Sequence, residues 1–231
     1  MYSRETILTE KGLIIDNRPM ATPIVPPVYF STAFCVDDLD ELEDYYSKKG
    51  YSYIRTRNPN RNDLSEMISY LENGEASCVF SSGMAAISTT LFALLQQGDH
   101  IVADHVLYGE TLMLIEEILP KYVSTVVDFS DKEAVKNAIR PNTKVLYSEV
   151  VTNPTICVID VEEIAKIAHQ SNALYVVDNT FTTSNSKLEK CTFYICNDIF
   201  LCLYSHGCLW RICRHYCNTY DESWYFKSHK L

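Results

Sequence analysis

Positive charge is scarce in this chain: 20 Lys and Arg stand against 30 Asp and Glu, a net charge of −10. Phosphate backbones are gripped by clustered Lys and Arg, so nucleic acid is excluded as the expected partner. An anionic membrane surface is excluded on the same ground. Long hydrophobic runs are lacking too, and nothing approaches the ~20 apolar residues that cross a bilayer as a helix. The opening residues do not show the charged-then-apolar order of a secretory leader, so a cytoplasmic protein is expected. Internal repeats and low-complexity stretches are absent. What is present is ordinary for a globular protein: 47% hydrophobic and 22% charged residues in a chain of 231. That length suffices for one large domain with a substantial core, or for two small ones.

The first 36 residues show no sustained period, and Pro19, Pro23, Pro26 and Pro27 force extended backbone, so this part reads as an arm. Residues 37–49 begin with carboxylates and end with lysines, as a helix dipole prefers. Residues 51–62, YSYIRTRNPNRN, read as a loop. Leu64, Met67, Ile68 and Leu71 form an i, i+3, i+4, i+7 stripe, which predicts an amphipathic helix. Strands and helices then alternate. ASCVF (76–80), HIVAD (100–104), STVVD (124–128), TKVLYSEV (143–150) and ALYVVD (173–178) are strand candidates. The segments between them carry helical periodicity, and Asp160 is a plausible N-cap. Continuous apolar strands alternating with helices predict a parallel sheet covered on both faces.

In such sheets ligands gather at the carboxyl ends of the strands. Ser81, Ser82, Gly83 and Met84 stand between a strand and a helix. They form either an ordinary turn with serine caps or an anion site, since a helix N-terminus offers free N–H groups and a glycine allows close approach. Asp178 ends an apolar strand, as a helix cap or as a charge that holds a cation or a protonated ring nitrogen. Arg55, with Tyr53 nearby, has the fork geometry that suits phosphate; the other reading is a solvated basic loop. Tyr108, just before Gly109, is either a core tyrosine or a flat ring for a ligand to stack on.

Five motifs occur in order: YIRTRNP (53–59), SSGMAAI (81–87), LYGET (107–111), NPT (153–155) and VVDNTF (176–181). With PIVPPVYFSTAF (23–34) ahead of them, they make about residues 5–185 resemble the Cys/Met-metabolism family of pyridoxal-phosphate (PLP) enzymes. That family includes methionine γ-lyase, cystathionine γ-synthase, cystathionine γ- and β-lyases and O-acetylhomoserine sulfhydrylase. The resemblance implies the type I PLP-dependent transferase fold, an aspartate-aminotransferase-like large domain of three α/β/α layers around a mainly parallel sheet, here incomplete at the C-terminus. It implies PLP as cofactor, an amino-acid substrate, C–S lyase or γ-replacement chemistry, and a homo-oligomer of two or four subunits.

Roles follow from the resemblance residue by residue. Ser82, Gly83 and Met84 belong to the phosphate turn, where Gly83 and Met84 present backbone N–H groups. Tyr53 and Arg55 reach the phosphate of a neighbouring subunit. Tyr108 stacks on the pyridine ring, Asn153 sits near its 3-oxygen, and Asp178 pairs with the ring N–H⁺, which keeps the ring an electron sink. Two departures touch the substrate subtype: Glu110 stands where many methionine γ-lyases have cysteine, and the arginine loop reads NPN where NPT is usual.

No catalytic residue is carried over. The family's lysine, which forms the Schiff base with PLP, is expected near Leu203, yet no lysine occurs from Cys191 through Phe226; Lys187 and Lys190 come too early. The expected organisation is an extended, partner-contacting arm with a helix (1–61), a partial PLP-binding domain (62–185) and a tail foreign to the family (186–231). The tail carries six of the nine cysteines and both tryptophans, and no Ala, Val or Pro follows residue 190. WRICRHYC (210–217), read with permissible codons one base forward, can become GGYAGIIV, which resembles the family. A frameshifted, truncated and impaired member is therefore expected. Two alternatives are a non-catalytic chain that binds PLP or dimerises, and an interaction protein stabilised by a Cys/His metal site. The tail cysteines are separated by four, five, five, four and three residues, none the CxxC of common zinc folds. No metal ligand is assigned.

Overall fold

The structure, a computed structural model, describes residues 27–47, 50–71, 75–119, 123–182, 193–196 and 208–212. The start of the arm, Lys187, Lys190 and most of the tail lie outside the described residues. The chain divides into two compact units, residues 1–60 and 61–231.

In the first unit the arm pairs with the basic loop. Ala33 and Tyr53 form an antiparallel bridge, flanked by Phe34 N–H to the Ser52 carbonyl (2.9 Å) and Ile54 N–H to the Thr32 carbonyl (2.8 Å). The Asn60 side chain receives Tyr29 N–H at 2.7 Å and donates to the Pro27 carbonyl at 2.7 Å, so one amide anchors the arm. Helix α1 (Leu39–Ser47) begins with a reciprocal cap: Asp38 accepts from Glu41 N–H at 2.8 Å, and Glu41 accepts from Asp37 N–H at 2.5 Å. Helix α2 starts at Pro59 and runs to Leu71, earlier than the apolar stripe suggests. Residues 59–62 are therefore helical, because proline's fixed φ suits the first helical position.

The second unit contains a seven-stranded sheet. Strands β1 (Ala76–Phe80), β2 (His100–Asp104), β3 (Val123–Val127), β4 (Thr143–Glu149) and β5 (Leu174–Asp178) fall within a residue or two of their predicted places. Two short strands from the tail, β6 (Phe193–Cys196) and β7 (Cys208–Ile212), join them. The order is β1-β7-β6-β5-β4-β2-β3. Pairing is parallel from β3 to β6, and β7 runs antiparallel to both β6 and β1. The tail was expected to be foreign; its backbone nonetheless fills two places in the sheet.

Side chains alternate across the strands, as the two-residue period requires. Ile101, Ala103, Val145, Tyr147 and Val176 pack on one face with Ala86, Ile87 and Leu91 of α3 (Gly83–Leu94) and with Leu114 and Ile115. Val102, Leu146, Tyr175 and Val177 pack on the other with Val135 of α5 (Lys132–Ala138) and Ile164, Ala165 and Ala168 of α6 (Val161–Gln170). The helical segment expected between β2 and β3 is a short α4 (Gly109–Met113) continued by a π-helical turn, Leu114–Ile118. Three caps place the helices that follow strands. Ser82 accepts from Ala85 N–H (3.1 Å), Asp131 from Glu133 and Ala134 N–H (3.0 and 3.1 Å), and Asp160 from Glu163 N–H (3.2 Å). The α3–β2 turn needs positive φ, and Gly98 supplies it at +91°.

Candidate cofactor site

The carboxyl ends of β1, β2, β4 and β5 carry the candidate residues. After β1, Ser82 is extended (φ −158°, ψ 161°) and caps α3, so Gly83 and Met84 form its first turn. First-turn N–H groups have no acceptor within their helix and face outward with the positive end of the dipole. Thr111 of α4 donates a weak hydrogen bond to the Met84 sulfur at 3.8 Å, which brings the Tyr108 segment beside this turn. Tyr108 itself occupies the N-cap position of α4, and the residue is 44% exposed. It is thus no core tyrosine.

Asp178 closes β5 and is buried. One carboxylate oxygen accepts from Thr180 N–H at 3.0 Å and from the Thr180 hydroxyl at 2.5 Å. Burial raises its pKa above the ordinary aspartate value, and those bonds together with Tyr147 work against the rise. The Tyr147 hydroxyl is fully buried beside Asp178 and Thr111 yet outside good hydrogen-bonding geometry. Among the described residues no cation faces this carboxylate, and a ring N–H⁺ is a group that would complement it. The donor set therefore fits PLP at three points: anion end, stacking face and ring nitrogen. For a fourth point, covalent attachment, no residue is assigned: no lysine occurs from Cys191 through Phe226, and Lys187 and Lys190 lie outside the described residues.

Glu149, at the end of β4, was not singled out from the sequence. It is buried and accepts two backbone N–H groups, from Tyr108 at 2.6 Å and from Asn153 at 2.8 Å. Its pKa is nonetheless pushed up to about 7, by burial first and then by Asp178 and Asp104. The signal that could have found it is the one that marked Asp178: a carboxylate closing an apolar strand. Beyond it, Asn153 and Pro154 are joined by a cis peptide bond, and Thr152 accepts from Cys157 N–H at 3.0 Å. In this loop Ile156 is exposed at φ 57°, a left-handed conformation that a β-branched residue rarely adopts.

At the end of β2, Asp104 accepts Phe129 N–H at 3.2 Å and faces the His105 ring at 3.1 Å, fastening the exit of β3. A cleft of about 240 Å³ opens here, lined by Asp104, His105, Asp128, Thr152, Thr155 and Cys157 among others. Gly83, Tyr108 and Asp178 do not line it. Tyr53 and Arg55 lie in the first unit, both exposed, with the guanidinium 5.0 Å from the centre of the Tyr53 ring.

The mainly parallel, helix-covered sheet is that of the type I PLP-dependent enzymes, and this defines the class. The narrower placement comes from comparison: residues 6–188 match the Cys/Met metabolism PLP-dependent enzyme family, and the chain belongs to it. It is 42% identical over 162 residues to an L-methionine gamma-lyase of Fusobacterium nucleatum, covering 68% of this chain and 41% of that protein. It is 46% identical over 187 residues to a cystathionine gamma-lyase of Bacillus subtilis, covering 78% and 46%. Among solved structures, a putative O-acetylhomoserine (thiol)-lyase from Campylobacter jejuni, which contains a pyridoxyl-lysine, superposes with TM-score 0.77 at 25% identity over 84% of this chain and 50% of that one. A cystathionine gamma-lyase from Lactobacillus plantarum complexed with L-serine gives 0.72 at 33% identity, over 81% and 49%. The chain thus spans about half the length of its relatives. Among the described residues, no helix is long and apolar enough to cross a membrane.

Proposed function

We propose that this chain carries the cofactor cradle of a PLP-dependent enzyme of sulfur amino-acid metabolism, of the C–S lyase or γ-replacement kind, without the lysine that makes such a cradle catalytic. The observation that carries the reading is Asp178: a buried strand-end carboxylate, held by Thr180 and faced by no cation among the described residues. Bound PLP supplies an electron-withdrawing ring. Asp178 holds the proton on the ring nitrogen, the Gly83 and Met84 N–H groups with the Ser82-capped helix end take the phosphate, and Tyr108 covers one face of the ring. Asn153 belongs near the ring's 3-oxygen. In this reading Gly83, Tyr108 and Asp178 share one cleft.

Tyr53 and Arg55 serve the phosphate of a neighbouring subunit, which makes the working form an oligomer. Support comes from their exposure and from the stacking that pre-forms the guanidinium fork. The tail beyond residue 185 is read as the product of a shifted frame, supported by the family-like peptide that residues 210–217 yield one base forward. Losing one positioned acid–base group typically costs ~10²–10⁴ in rate, and the lysine supplies covalent activation as well. The test is to incubate the purified full chain with PLP, reduce with borohydride and map pyridoxyl-lysine by mass spectrometry. The expected result is reversible binding without a single stoichiometric label. One stoichiometrically labelled lysine, with α-keto acid released from methionine, cystathionine or cysteine, would show a working enzyme and refute the proposal.

A further inference from the structure

Tyr108 and Asn153 leave different strands, β2 and β4, and no hydrogen bond between their side chains ties the two segments together. What joins them is a single buried carboxylate. Glu149 Oε1 takes the Tyr108 N–H at 2.6 Å and Glu149 Oε2 takes the Asn153 N–H at 2.8 Å. Both oxygens are thus committed to backbone donors, a charge-assisted arrangement stronger than a neutral one. Backbone atoms are held here, so the clamp fixes where each side chain starts rather than touching a ligand itself.

We infer that Glu149 is a positioning residue for the cofactor ring: its carboxylate locks the Tyr108 and Asn153 segments into one rigid wall. The inference rests on the PLP-binding reading above. It adds a residue to which the sequence motifs assign no role, and it adds a pH dependence. The groups facing Glu149 are Asp178 from β5, Asp104 from β2 and the Tyr147 hydroxyl on its own strand. Among the described residues none of these groups is cationic and the carboxylate is held charged by the two N–H donors alone, and its pKa lies at about 7. Below that value a proton occupies one oxygen, and one of the two N–H groups loses its full acceptor. The wall is therefore tight above neutrality and loosens as pH falls through it. A cationic ring nitrogen held at Asp178 draws the same proton off, so cofactor and clamp stabilise one another.

Two measurements on the full chain test this. In the ¹⁵N-labelled protein without PLP, the Tyr108 and Asn153 amide signals should titrate together with a midpoint near neutrality. That titration should vanish in Glu149→Gln, whose amide can accept only one of the two N–H groups. In PLP titrations followed by absorbance, Glu149→Gln should bind about tenfold more weakly at pH 8, the scale of one charged hydrogen bond. It should also lose the steepest part of the pH dependence between pH 6 and 8, while Glu149→Asp keeps part of it. If the wild-type amides show no titration, the clamp is refuted without any variant. If Glu149→Gln binds PLP as tightly as wild type with the same pH profile, the positioning role is refuted and the PLP reading stands. If the wild-type chain binds no PLP at all, the cofactor reading falls, and the amide titration alone decides whether the clamp exists.

Discussion

Replacing Asp178 with asparagine should stabilise the protein while weakening its hold on PLP. The side chain is buried, and one oxygen already accepts from both Thr180 donors. An asparagine can keep those two bonds through its carbonyl oxygen, so Asp178→Asn removes a charge and little else. Burying an ion costs several kcal/mol after relaxation, and each charged hydrogen bond returns about 1.5–3 kcal/mol. The asparagine keeps both bonds as neutral ones, so the charge's own return is only the excess of about 1–1.5 kcal/mol per bond. The burial cost less that excess leaves a net gain of about 1–3 kcal/mol for the variant at pH 8. In a chain of this size each kcal/mol moves Tm by about 2–4 °C, so a rise of about 5 °C is expected. The sign has a pH signature. Folding raises the pKa of Asp178, so its contribution to stability is full below the unfolded value and is lost as pH rises through the folded one. Wild type and variant should therefore melt together in acid and separate as pH rises. Removing the Asp178 charge also relieves Glu149, whose midpoint should drop below about 7. For PLP the effect reverses, with affinity falling about 10–100-fold on loss of the ion-paired ring nitrogen. Scanning calorimetry from about pH 3.5 to 8 and PLP titration supply both numbers. A variant less stable than wild type at pH 8 would refute the account of Asp178 as a carboxylate awaiting a cation.

Tyr108→Ala should weaken PLP binding about tenfold, as expected for a lost stacking contact of about 1.5 kcal/mol. Because the residue is 44% exposed, the change should alter chemical-denaturation stability by less than about 0.5 kcal/mol; a large loss of stability would show that the ring is structural. Ile156→Asn should stabilise the chain by about 1 kcal/mol in urea unfolding, since asparagine tolerates the positive φ that a β-branched residue resists. An unchanged or lower midpoint would mean that Ile156 carries no such strain.

The layered fold was legible because its signals are redundant. Ile101, Ala103, Val145, Tyr147 and Val176 point to one layer, and Val102, Leu146, Tyr175 and Val177 to the other. Their apolar runs are long enough for the helices between them to be read as crossovers. Boundaries set by a single residue were less visible. Pro59 starts α2 inside what reads as a loop, and the switch from α to π winding at Leu114 has no mark in the amino-acid pattern. Of the candidate site, Gly83, Tyr108 and Asp178 were marked in the sequence through resemblance, whereas Glu149 was not. Its role depends on two backbone N–H groups, one of them 41 residues away, and backbone donors leave no trace in the choice of side chain at their own positions.

The tail shows how far fold and chemistry can part. A parallel strand such as β5 offers its next neighbour a row of N–H and C=O groups, and every non-proline residue can answer with its own. Any extended, proline-free segment of sufficient β propensity can therefore occupy the place, and FYIC and CLWRI are rich in aromatic and β-branched residues. Strand β7 also pairs with one of the two edges of β1, joining that strand to the rest of the sheet. A Schiff-base lysine is not replaceable in this way, because it needs one amine on one side chain at one position. On the shifted-frame reading proposed above, the same stretch of chain satisfies the sheet with a foreign sequence and leaves the site without its reactive group. The cradle and the reaction are specified by different atoms: main-chain donors and a few strand-end carboxylates for the first, a single side-chain nitrogen for the second.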